Sequence, residues 1–242
     1  MNFPHTLPPA LLASFPPGFR ALVIGASGGI GAAFASLLQA HPQCGHVERL
    51  HRNSEPPIDF DREESIALAA AQLGLQGRFH LIINAVGVLH AATFMPEKKL
   101  PDLNYAQLMD TFRVNTFGPA LALRHFVPLL DPAQAVFAVL SAKVGSIGDN
   151  RLGGWYSYRA SKAALNMLLK TASIEARRTQ PNAVLVALHP GTVQSRLSGP
   201  FRDLASARPA LDAARDMLAV LEQLSPADSG KFLSYNGENL SW

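Results

Sequence analysis

Cysteine is nearly absent. The 242-residue chain holds one, Cys44, which excludes an intrachain disulfide and a cysteine-based zinc site and fits a reducing compartment. Charge is sparse as well: 16% of residues are charged, and 21 Lys plus Arg against 18 Asp plus Glu leave a net charge of +3. The basic residues are dispersed rather than gathered into the runs that mark a nucleic-acid or membrane surface. No run of 18 apolar residues occurs, so no membrane-spanning helix is expected. The first basic residue is Arg20, and the apolar stretch 11–15 is bounded by prolines, unlike a secretory signal. None of the eight histidines has metal-ligand spacing. These absences predict a cytoplasmic protein that holds no metal and binds neither nucleic acid nor membrane.

What is present is a globular composition, 48% apolar with 18 Gly and 18 Pro. Residues 1–19, with five prolines before Gly18, are predicted to form an extended arm without chemistry, and residues 20–242 a single domain. Short β-branched runs at 21–24, 47–50, 58–60, 79–84, 135–140, 183–188 and 232–235 alternate with stretches of helical periodicity. That order predicts an α/β fold, a doubly wound, mainly parallel sheet of seven strands with helices on both faces. A long connection, 89–104, is a candidate functional loop.

The first strand runs directly into Gly25-Ala-Ser27-Gly28-Gly29-Ile30-Gly31 and then a helical pattern. A turn this tight needs a residue free to take positive φ, and a backbone that approaches a pyrophosphate needs no Cβ. The helix that follows offers free N–H groups and a positive dipole end. Gly25, Gly29 and Gly31 fill these roles, and the whole turn is assigned to phosphates.

This Gly-x-x-x-Gly-x-Gly spacing resembles the short-chain dehydrogenase/reductase family, whose fold is of the Rossmann type; Ile24 stands where the family has threonine. The resemblance extends over nearly the whole chain from Arg20. It implies that Asp59, followed by Phe60, holds an adenine, and that Asn84, Ala85, Val86 and Gly87 replace the family's Asn-Asn-Ala-Gly beside the cofactor. After the sixth predicted strand, Pro190, Gly191, Val193 and Ser195 match the family's Pro-Gly-x-x-x-Thr and imply a contact to the nicotinamide carboxamide. After the second strand, His51 and Arg52 reach the turn, while Glu48 lies too early in the strand to reach a ribose hydroxyl; a guanidinium there favours NADP(H) over NAD(H).

Tyr158 and Lys162 lie four residues apart on one predicted helix face. A nearby ammonium favours phenolate and so lowers a phenol toward the working range of an acid–base catalyst. Asn115 stands four residues before Pro119, which has no N–H to donate to its carbonyl; the resemblance implies a role in a proton relay through water and Lys162 to Tyr158. The substrate-orienting serine departs from the family's place, which here holds Ala142. Ser141 is assigned, provided the strand has ended or bulged before it; Ser146 is the alternative. Leu89, Phe94, Val144, Trp155, Leu197 and Phe201 are candidate walls for an apolar substrate.

The expectation is therefore an NADP(H)-dependent oxidoreductase that reduces a small carbonyl compound or oxidises the alcohol, with Tyr158 as acid–base. Residues 145–158 and the C-terminal stretch from Gly230 look most like the C-factor and carbonyl-reductase branch. The alternative is a cofactor-binding sensor or signalling protein of the C-factor type with little turnover. The family commonly dimerises through two long helices, here near 105–130 and 157–178.

Overall fold

The computed structural model describes residues 11–201 and 207–242; residues 1–10 of the predicted arm and the Phe201 side chain lie outside the described residues. Six strands, β1 (Phe19–Ile24), β2 (Cys44–Leu50), β3 (Leu81–Asn84), β4 (Ala135–Leu140), β5 (Ala183–His189) and β6 (Phe232–Ser234), form one sheet in the order β2-β1-β3-β4-β5-β6. Every pairing between them is parallel, so their carboxyl ends share one edge, where such sheets bind ligands.

The sheet is covered twice, as its apolar runs require. Ala21 and Val23 of β1 face a cluster built with α1 (Gly29–Gln39) and α6 (Ala210–Glu222). Leu22 and Ile24 face the opposite cluster with α2 (Glu63–Gly74), α4 (Gly118–Phe126) and α5 (Tyr156–Thr179). Helix α3 (Tyr105–Phe112) continues into α4 through a five-residue π-helical stretch, Arg113–Phe117. Pro119 cannot donate to Asn115, so the ordinary ladder is broken there, and the wider turn carries the chain through it. Among the described residues no helix is long and apolar enough to cross a membrane.

Two expectations are corrected. Residues 58–60 are not a seventh strand. Pro56 and Pro57 just before them have no N–H to give a ladder, the Ile58 N–H turns back to the His51 carbonyl, and the Asp59 N–H donates to Ser65 Oγ. Ile58 and Phe60 are nevertheless buried, so the apolar pattern was read correctly while its backbone was not. Residues 11–18 are turns, not an extended arm; Leu12 and Phe15 are buried in the α1/α6 cluster, and the Phe15 ring lies 5.3 Å from that of Phe19.

Candidate active site

The carboxyl edge of the sheet carries three adjoining cavities. One of about 320 Å³ runs from the glycine turn, Ser27 to Gly31, past Ala85, Val86 and Gly87 to Ser141, Tyr158, Lys162, Pro190 and Ser195. One of about 600 Å³ shares Ser27, Gly28 and 85–88 and extends outward to Gly25, Arg52, Asp59 and Phe60. A third, about 120 Å³, lies beyond Tyr158 and is walled by Leu89, Ala142, Val144, Trp155 and Leu197, with Gly191 and Val193 also in its lining. Together they form a groove with the glycine turn at its middle.

The turn is built for close approach. Gly25 has φ +85°, and a Cβ on it would stand 2.9 Å from Val86 Cγ2. A Cβ on Gly31 would meet the Gly25 carbonyl oxygen at 2.2 Å, so α1 packs directly on the turn. The N-terminus of α1 has no side-chain cap and no acidic residue in its first turn, leaving its donors and dipole directed at the groove.

Tyr158 and Lys162 face the groove from the first turns of α5, 8% and 3% exposed. Burial pushes the Tyr158 phenol upward and draws the Lys162 ammonium down to about 8. The lowering of the phenol that the pair suggests is therefore outweighed here: Lys162 Nζ lies 6.0 Å from the Tyr158 ring centre and donates to the Leu140 carbonyl at 3.0 Å. Asn115, wholly buried, spends its side chain on the fold. Its Oδ1 accepts from Val88 N at 2.8 Å, and its Nδ2 donates to Val88 O at 2.8 Å and to Ser161 Oγ at 3.1 Å. A Cβ on Gly87 would lie 3.5 Å from both Asn115 Oδ1 and Lys162 Nζ, so the strand end, the π-helical stretch and α5 converge at this residue at ordinary contact distance.

Strand β4 ends at Leu140, and Ser141 lines the groove, as its assignment requires. Its hydroxyl donates to Asn166 Oδ1 at 2.6 Å, while the buried Asn166 Nδ2 has no partner. Ser146 lies apart, bonded to Ser241 Oγ, Trp242 O and Asp149 N. Of the predicted cofactor contacts, Asn84 does not reach the groove: it is fully buried and its Oδ1 accepts from Val86 N, shaping the strand end. Phe94 lines the outer cavity rather than the small one. Arg52 is exposed at the outer end and joins no ion pair among the described residues, whereas Arg113, which lines the same cavity, lies within 4 Å of Asp61 and Asp110.

Sequence reasoning missed Val88, Ser161, Asn166 and Glu97. Ser161 and Asn166 stand three and eight residues after Tyr158, on the same helix stripe, and that spacing was a usable signal. Val88 takes part through backbone atoms, which carry none. Trp155, immediately before α5, has φ +54° after two left-handed glycines, Gly153 and Gly154; such a conformation costs a bulky residue of order 1–3 kcal/mol and is held by its surroundings.

The sequence pattern of the short chain dehydrogenase family matches residues 57–204. The C-signal protein of Myxococcus xanthus is 39% identical over 144 residues, 59% of this chain and 83% of that protein. A 1-hydroxy-2-glutathionyl-2-methyl-3-butene dehydrogenase of Rhodococcus sp. (strain AD45) is 31% identical over 188 residues, 78% and 80% of the two chains. The NADPH-bound carbonyl reductase from chicken fatty liver superposes with a TM-score of 0.81 at 29% identity, covering 94% of this chain and 100% of the other.

Proposed function

The chain belongs to the short-chain dehydrogenase family and is an NAD(P)-dependent oxidoreductase, and from that premise we propose that it reduces a carbonyl compound with NADPH, using Tyr158 as the proton donor. The observation that carries this reading is the buried Tyr158–Lys162 pair facing the same groove as the glycine turn. The residues present fit the cofactor: a turn without Cβ atoms, an uncapped helix start and a groove extending both ways from it. When bound, the nicotinamide supplies the hydride. The protein's part is to hold the carbonyl beside Tyr158, exclude water with Leu89, Trp155 and Leu197, and keep the phenol protonated by burial. The test is oxidation of NADPH, followed by absorbance, with a panel of aldehydes, ketones and quinones. Tight NADPH binding without turnover on any of them would favour a sensor or signalling role, which the likeness to C-signal keeps as the second reading.

Arg52 at the outer end is the basis for NADPH over NADH. A charge-assisted guanidinium–phosphate contact is worth about 1.5–3 kcal/mol, or roughly one to two decades of affinity. NADPH is expected to bind more tightly than NADH, and Arg52→Asp to remove or reverse the difference; equal dissociation constants in the unmodified protein would refute the assignment.

Ser141 is proposed to donate to the substrate carbonyl. Its proton is directed to Asn166 Oδ1, but the oxygen and nitrogen of an amide exchange places when the group turns over. Turning the Asn166 amide gives its partnerless Nδ2 an acceptor in Ser141 Oγ and frees the serine proton for the substrate. Removing one such donor typically lowers kcat on the order of 10²-fold. Ser141→Ala is expected to do so; a near-normal rate would leave Tyr158 alone to polarise the carbonyl.

A further inference from the structure

Helix α5 starts without a cap of its own. Its N-cap position, Trp155, is left-handed and its side chain does not cap the helix, yet the donors of a first turn need partners. The partner comes from the 89–104 loop. Glu97, 2% exposed, accepts the Ser157 N–H at 3.2 Å and the Ser157 hydroxyl through its two carboxylate oxygens, and its backbone carbonyl accepts the Trp155 N–H at 2.5 Å. A carboxylate at a helix start gains from the helix dipole as well as from the hydrogen bonds.

That loop is itself fixed. Its Met95 carbonyl accepts from Gln107 Nε2 at 2.9 Å, and the Lys98 and Lys99 N–H groups donate to Asp102 Oδ2 at 3.1 Å. A Cβ on Gly154 would lie 3.6 Å from the Glu97 carbonyl oxygen, so the chain before Trp155 runs against the same residue. One residue after Ser157 stands Tyr158, and the Trp155 ring meets the Tyr158 ring edge-on, centres 6.2 Å apart at 77°. The contacts of Glu97 thus lie on both sides of the turn that carries the phenol and the aromatic wall of the small cavity.

We propose that Glu97 is a positioning residue: by capping α5 from the neighbouring loop, its carboxylate holds Trp155 and Tyr158 in the geometry that proton delivery needs. The proposal rests on the reading of Tyr158 as proton donor, so its test includes a signal independent of turnover. The chain has two tryptophans, and Trp242→Phe, which keeps an aromatic ring against Phe232, leaves Trp155 as the reporter. In that background Glu97→Ala is expected to lower kcat on the order of tenfold to a hundredfold, the scale of a small misplacement of a reacting group. NADPH affinity should hold, and Trp155 emission should shift to the red. Glu97→Gln, which keeps the volume and an acceptor oxygen, is expected to recover most of kcat and the parental emission. Ser157→Ala removes only the hydroxyl contact and is expected to shift both in the direction of Glu97→Ala, so the comparison stands even if Glu97→Ala does not fold. Parental kcat and emission in both Glu97→Ala and Ser157→Ala would overturn the proposal; if Glu97→Ala does not fold, the same result in Ser157→Ala alone would overturn it. Equal losses of kcat in the Ala and Gln variants with Trp155 emission unmoved would overturn it too, since they point to a role for the charge itself. Should Tyr158→Phe retain turnover, the donor assignment fails, while Trp155 emission still reports whether Glu97 holds this turn.

Discussion

Tyr158→Phe is expected to lower kcat about 10²- to 10⁴-fold, the usual contribution of a placed general acid, while NADPH affinity and stability stay close to those of the parent. The ring that packs against Trp155 remains, and among the described residues no hydrogen bond of the fold uses the hydroxyl. Direction matters as well. Burial raises the phenol's pKa, so at neutral pH Tyr158 holds a proton ready for an alkoxide as it develops. Alcohol oxidation would need the phenolate, which the same burial disfavours. Carbonyl reduction by the unmodified protein is therefore expected to run faster than oxidation of the corresponding alcohol at pH 7, measured by NADPH consumption and NADP⁺ reduction. An unchanged rate in Tyr158→Phe, with cofactor binding intact, would move the proton donor elsewhere.

The alternation of apolar runs and helical stretches led to the right architecture because an interior strand of a covered parallel sheet must be apolar on both sides, and β4 is buried at all six positions. The glycine turn was legible for a related reason: a positive φ at Gly25 and a forbidden Cβ at Gly31 leave one residue type. Residues 58–60 show where this breaks down. Their side chains are buried as in a strand, but Pro56, Pro57 and the Ser65 hydroxyl direct the backbone elsewhere. The polar interior was the least legible part. Ser157, Ser161 and Asn166 lie on the buried stripe of α5, where a hydrophobic pattern search sees interruptions instead of an interior. Their partners Glu97, Asn115 and Ser141 come from distant segments, so only the folded chain pairs them.

Lys162→Met is expected to separate activity from stability. Burial draws the Lys162 ammonium from 10.5 to about 8, which means the native state binds its proton less well than the unfolded chain does. Between about pH 8 and 10.5 the unfolded chain keeps a proton that the native chain has released, so stability from this group rises with pH across that window. Below about pH 8 the fold carries the full cost of the buried charge. The depression corresponds to about 3 kcal/mol at roughly 1.4 kcal/mol per pKa unit. The gain on removing it is smaller, because the Leu140 carbonyl loses its partner, and an unpaired buried acceptor costs about 1–3 kcal/mol. A methionine fills similar space without charge, and the variant is expected to be as stable as the parent or up to about 2 kcal/mol more stable at pH 7. Turnover should nevertheless fall on the order of 10²-fold or more, because no ammonium then offsets charge at Tyr158 as its proton leaves. Urea unfolding from pH 6 to pH 10 checks both signs: the stability difference between variant and parent should shrink as the pH rises past about 8. In the same window kcat/KM of the parent for reduction should decline as Lys162 loses its charge. A variant that is less stable than the parent at pH 7 by more than the unpaired carbonyl costs would show that the charged Lys162 stabilises the fold.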